Sequence, residues 1–217
     1  MMTNLFSVFD PCTGFFYLNW LSTFLFLAIL PYNFWLFPNK ILMSFNFIVK
    51  LISKEMISLM KYKGNNLIMI SLLLFILINN VWGLLPYVFT SSSHLTFSLS
   101  LALPLWFSFM LFGWLNKTNK MFSHLVPIGT PSILMPFMVM IETISNFIRP
   151  GSLAVRLTAN MIAGHLLMSL IGGTSNNFML ISILMMIFIM LMMFELVVSI
   201  IQSYVFLTLS TLYSSEI

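Results

Sequence analysis

Charge is what this sequence has least of. Only 6% of its 217 residues are Asp, Glu, Lys or Arg, against roughly 25% in an ordinary soluble domain, so no water-facing surface can be assembled from it. Cysteine is nearly absent as well. Cys12 stands alone, which excludes an intramolecular disulfide, a CxxC redox pair and a cysteine metal cluster, and neither a metal nor any other cofactor is expected. No basic residue precedes Phe9, so the N-terminus has neither the n-region of a secretory signal nor the arginines of a transit peptide, and the first apolar stretch is expected to stay in the mature protein. No GxxxxGK[ST] phosphate loop occurs, and no polar stretch is long enough to fold as an extramembrane module. The nine cations are scattered. They read as topology signals, not as a phosphate-binding patch, and no nucleic-acid partner is expected.

What is present is hydrophobic: 60% of the chain, in charge-free stretches that repeatedly exceed the ~20 residues needed to cross a bilayer. Such runs favour helices over the alternating pattern of a barrel. The expectation is an all-α integral membrane protein forming a single membrane domain over residues 1–217, with five crossing helices and one amphipathic surface helix. The uncharged run between Asp10 and Lys40 predicts a first span over 15–37, with Pro31 or Pro38 available to end it. Residues 41–63 carry the amphipathic pattern, with Ile41, Phe45, Ile48, Ile52, Met56 and Leu59 recurring every three or four positions. The segment from Lys40 to Lys63 holds five of the seven lysines, which suits a basic helix lying on the membrane surface. Residues 66–89 and 95–115 predict a hairpin joined by a polar turn around Thr90 to His94. The last two segments, 126–171 and 178–213, are too long to stand upright within the core, so they are expected to tilt steeply or to lie partly outside it, and Pro150-Gly151 offers the former a break.

The lysines also orient the chain. Five crossings place Lys40 to Lys63 and Lys117 to Lys120 on one side, which the positive-inside rule makes the inner one, so the N-terminus is expected outside and the C-terminus inside.

Glu142, Arg149, Arg156 and Glu195 fall where the chain is expected to be lipid-buried. An ionisable group there costs at least a few kcal/mol, so its default reading is a functional one; the structural alternative is a paired or snorkelling ion. Glu142, Ser145, Asn146 and Arg149 follow helical spacing and share a face, as do Glu195, Ser199, Gln202 and Ser203. Each stripe lines either an aqueous path or a hydrogen-bonded helix interface. Around Arg156 the short residues Ser152, Ala159, Asn160, Ala163 and Gly164 form a trough that another helix can approach closely. Arginine does not give up its proton, so it cannot relay one, but it attracts a partner carboxylate. His165, about half a turn round from Arg156 and so expected to face away from it toward the final helix, can relay one near neutral pH.

The stretch Ser152-Leu-Ala-Val-Arg-Leu-Thr-Ala-Asn-Met-Ile-Ala-Gly-His165 resembles the signature of the a subunit family of F-type ATP synthases in its mitochondrial form. The likeness extends to Asn80-Val-Trp-Gly-Leu-Leu-Pro86, Ile141-Glu-Thr-Ile-Ser145 and Ile201-Gln-Ser-Tyr-Val205, in order along most of the chain. The resemblance implies a non-catalytic proton-translocating stator of the Fo sector in the mitochondrial inner membrane. Its implied partners are the ring of c subunits, each with one membrane carboxylate, the peripheral stalk and other Fo subunits, membrane lipid and protons. It implies two offset half-channels coupling proton flow to ATP synthesis. Arg156 is similar to the family's stator arginine, Asn160 and Gln202 to polar residues beside it, His165 and Glu195 to the intermembrane-side path, and Glu142 to the matrix-side carboxylate. Bacterial members exchange the acid and the histidine between the positions of His165 and Glu195, and this chain has the mitochondrial arrangement. Arg149 and Glu216 receive no role from the resemblance. Rival readings fit less well. An antiporter-like subunit relies on lysines inside broken helices, a haem subunit needs paired axial ligands, and a plain scaffold has no use for a buried arginine.

Overall fold

The computed structural model describes residues 5–14, 16–31, 36–60, 64–126, 131–173 and 178–216. Every regular element among them is helical. Two 3-10 segments, Leu5–Phe9 and Leu18–Phe24, lead into the short helix α1 (Leu25–Ile29); then follow α2 (Lys40–Leu59), α3 (Asn65–Gly83), a 3-10 turn at Ser91–Ser93, α4 (Leu95–Asn116), α5 (Thr118–Leu125), α6 (Met135–Gly173) and α7 (Phe178–Glu216). Four helices are long and apolar enough to cross a bilayer: Asn65–Gly83, Leu95–Asn116, Met135–Gly173 and, within α7, Ile181–Ser215.

Of the segment expected as a first span over 15–37, Leu18–Ile29 is helical among the described residues, and residues 15 and 32–35 lie outside them. The end of this helical run is set by Pro31, which has no N–H to continue the ladder and pushes the preceding residue out of the helical region, and Leu30 accordingly sits at φ −58°, ψ 123°. The amphipathic helix stops at Leu59, and residues 61–63 of its expected range lie outside the described residues. Its inward face is turned from the expected stripe. Leu42 and Met56 are buried and Phe45 and Ile52 half-buried, while Ile41, Ile48 and Leu59 point outward.

The long 126–171 stretch resolves into a turn at Pro131 to Leu134 followed by α6. No break occurs at Pro150-Gly151; the helix runs straight through its 39 residues, as membrane helices permit where neighbouring helices and side chains compensate for the lost backbone bond. At 1.5 Å per residue, α6 and α7 are each about 58 Å long, nearly twice the ~30 Å hydrocarbon core. Steep tilt follows.

Leucine, methionine and a few smaller side chains hold the bundle together. Ile76 of α3, Ala102 of α4, Leu153, Ala154 and Leu157 of α6 and Phe206 of α7 form one buried cluster. Met56 of α2, Met69 and Leu73 of α3 and Leu207 of α7 form another. A third joins Leu84 beyond the end of α3 to Met161 and Met168 of α6, with Phe188 and Leu191 of α7 against it. The first and third of these clusters set α6 and α7 side by side in opposite directions.

Candidate functional site

Antiparallel pairing of α6 and α7 distributes the ionisable groups along the two helices. Gly164 lies against Glu195, Leu157 against Phe206 and Arg149 against Tyr213, so Gln202 stands level with the turn that carries Arg156 and Asn160. Along α6, Arg156 sits about 21 Å from Glu142 and about 12 Å from Gly164, by helical rise.

Glu195 is the most enclosed charge, 8% exposed, and neither carboxylate oxygen has a hydrogen-bond partner. The approach is possible because position 164 has no side chain: a Cβ built there would lie 2.5 Å from the Glu195 Cδ and 2.5 Å from its Oε1. The trough expected around Arg156 therefore divides in two. Gly164 turns inward and receives α7, whereas Ser152, Arg156, Ala159 and Ala163 lie on the exposed face of α6. Among the described residues Arg156 has no ion pair or hydrogen bond.

His165, expected to face the final helix, instead lies against the Gly83 backbone at the end of α3 and meets the Phe9 ring edge to face at 6.3 Å, and its Nε2 is buried without a partner. More polar groups collect at this end. Asn80 and Ser92 are both 0% exposed with unpartnered side-chain atoms, and His94 is held between Trp20 and Phe89 with its Nε2 also unpartnered. Sequence reasoning gave Asn80, Ser92 and His94 no role. The signal available was the pair Asn79-Asn80 inside an otherwise apolar span; Asn79 satisfies itself on the Phe75 carbonyl at 2.9 Å, and Asn80 does not.

The serines of the Glu195 stripe behave differently. Ser199 and Ser203 are buried and donate to the Leu196 and Ile200 carbonyls of their own helix, both at 2.7 Å, so this part of the stripe serves close helix packing. At the opposite end of the bundle Glu142 and Arg149 pair at 3.7 Å beside a cavity of about 420 Å³, lined also by Trp106, His124, Asn146 and Tyr213. The side chain of Glu216 lies outside the described residues.

Polar groups thus gather toward both ends of one antiparallel helix pair, buried around Glu195 and half-buried around Glu142, with the exposed Arg156 between them. The family described as ATP synthase A chain matches residues 15–215. Relatives of similar length are the "ATP synthase subunit a" of Drosophila melanogaster, 60% identical over 223 residues, and that of Anopheles quadrimaculatus, 58% identical over 225, with 100% of both chains covered in each case. The chain belongs to the ATP synthase A chain family. It is accordingly a non-catalytic, proton-translocating membrane subunit of the Fo sector, of the animal mitochondrial form, and other subunits of the ATP synthase are its partners. The all-helical, multi-pass architecture is that of an inner-membrane member of this family.

Proposed function

We propose that this family member carries protons through two offset half-paths joined only by the turning c ring. Protons pass from the intermembrane side by Glu195 and His165 to a ring carboxylate, and after nearly a full turn leave for the matrix by Glu142. Arg156, flanked by Asn160 and Gln202, meets each returning carboxylate and separates the half-paths. The ring docks on the exposed α6 face that carries Ser152, Arg156, Ala159 and Ala163, and the peripheral stalk and other Fo subunits brace the rest against the lipid. The N-terminus faces the intermembrane space and the C-terminus the matrix.

One observation carries the reading: Arg156 is an exposed cation with no acid of its own among the described residues, on the stretch of α6 between the Glu195 and Glu142 regions, so its counter-charge has to come from a partner. Each proton that crosses yields about 2.3 kcal/mol per 100 mV, which makes any leak between the half-paths expensive.

Substitution at Arg156 tests it. Lysine keeps the charge but loses the planar fork that grips a carboxylate in two places and is far more easily neutralised. In proteoliposomes of the assembled complex, Arg156→Lys should impair ATP synthesis severely. Arg156→Ala should in addition pass protons under an imposed potential without making ATP. Wild-type synthesis by Arg156→Lys would show that a bare positive charge is enough.

A further inference from the structure

Arg149 is the one membrane cation to which the mechanism above gives no task. It cannot relay a proton, and it lies on the same face of α6 as Glu142 and Arg156, at intervals of seven residues. Its guanidinium reaches back toward the N-terminal end of α6, the direction in which helical side chains lean, and pairs with the Glu142 carboxylate at 3.7 Å. On its other side lies the ring of Tyr213, with the guanidinium carbon 5.1 Å from the ring centroid. All three side chains line the same 420 Å³ cavity.

We infer that Arg149 is the positioning residue of the matrix-side path, holding the Glu142 carboxylate at the cavity wall through a guanidinium braced on Tyr213. The inference rests on the reading of Glu142 as the matrix-side carboxylate. Glu142 alone is a mobile side chain, 38% exposed, on one wall of a roomy cavity. Paired, it is held against the wall of the cavity that Arg149 forms, in one place where a proton crossing the cavity can meet it. The brace comes from the last turns of α7, so the helix that carries Glu195 also fixes where Glu142 sits.

A double-mutant cycle in the complete ATP synthase, reconstituted in liposomes and checked for assembly, separates positioning from simple structural support. Arg149→Gln should lower ATP synthesis about two- to fivefold, the scale of a partly exposed ion pair, and Arg149→Lys should restore most of it. Glu142→Gln should cost more. Arg149→Gln added to Glu142→Gln should cost nothing further, because the carboxylate it positions is gone. Tyr213→Leu, which removes the brace and keeps both charges, should give a smaller loss that likewise disappears in the Glu142→Gln background, and it carries the test should Arg149→Gln fail to assemble. Wild-type rates for Arg149→Gln, or losses that multiply in the double mutant, overturn the positioning role while leaving Glu142 in place. A wild-type rate for Glu142→Gln alone overturns the matrix-side reading and this inference with it.

Discussion

At the scale of single residues, the contact between Gly164 and Glu195 is the most constrained feature of the molecule. Any side chain at 164 meets the carboxylate, since the first added carbon already lies 2.5 Å from the Cδ. Gly164→Ala should therefore push Glu195 aside, at about 1–3 kcal/mol of overpacking. ATP-driven proton pumping should fall far more than stability, by up to about 10²-fold for a displacement near 1 Å; equal, small losses in both would mean the carboxylate tolerates displacement. Glu195→Leu keeps the volume and removes the charge. It should assemble normally and lose most ATP-driven pumping, and dye-quench measurements at wild-type level would take Glu195 out of the path. Part of this scale was legible in the sequence: helical spacing put Glu142 and Arg149 on one polar stripe, and the short residues around Arg156 marked a face open to another helix. The inward turn of Gly164 was not legible, because the periodicity of one helix says which residues share a face but not which neighbour covers it.

Among the elements, α2 shows how far pattern reading reaches. A basic amphipathic helix was expected and one is present, yet its buried edge is rotated from the strongest periodic stripe, since lipid accepts Ile41, Ile48 and Leu59 as readily as protein does. Two contacts anchor it. Met56 is fully buried against Met69, Leu73 and Leu207, and the Tyr204 hydroxyl donates to the Glu55 carboxylate at 3.2 Å on an exposed face. Met56→Ala should cost about 2–5 kcal/mol, as large-to-small changes at packed sites do, and Tyr204→Phe less than about 1.5 kcal/mol. Thermal unfolding of the detergent-solubilised complex should rank them in that order; the reverse ranking would make the hydrogen bond the anchor. The two prolines of interest acted oppositely for a reason the sequence does not carry. Pro31 ends a short helix with little packed around it, while Pro150 is buried inside α6 with neighbours to support the backbone.

For the whole molecule, the N-terminal segment is where tertiary contacts add most to what the sequence pattern shows. Its short helical run stays with the loop between α3 and α4: Ser22 donates to the Phe89 carbonyl at 3.4 Å, and Trp20 packs on Phe89 and His94. With Cys12 exposed, this arrangement predicts that an impermeant thiol reagent reaches Cys12 from the same face as a cysteine at Leu85, in a variant carrying Leu85→Cys. In a variant carrying Ser123→Cys and no Cys12, labelling should come from the other face. Modification of Cys12 and Ser123→Cys from one face would remove the proposed five-crossing topology. The carboxylate lodged on Gly164 has one more consequence, a mechanical one. In the proposed complex a turning ring drags sideways on the helices it touches, and that load falls on the packing between α6 and α7. With Glu195 caught in the notch that the missing side chain leaves, α6 and α7 cannot shift in register unless that carboxylate rides up over a bulkier neighbour. The same glycine that admits the acid also keys the two helices into one rigid bearing.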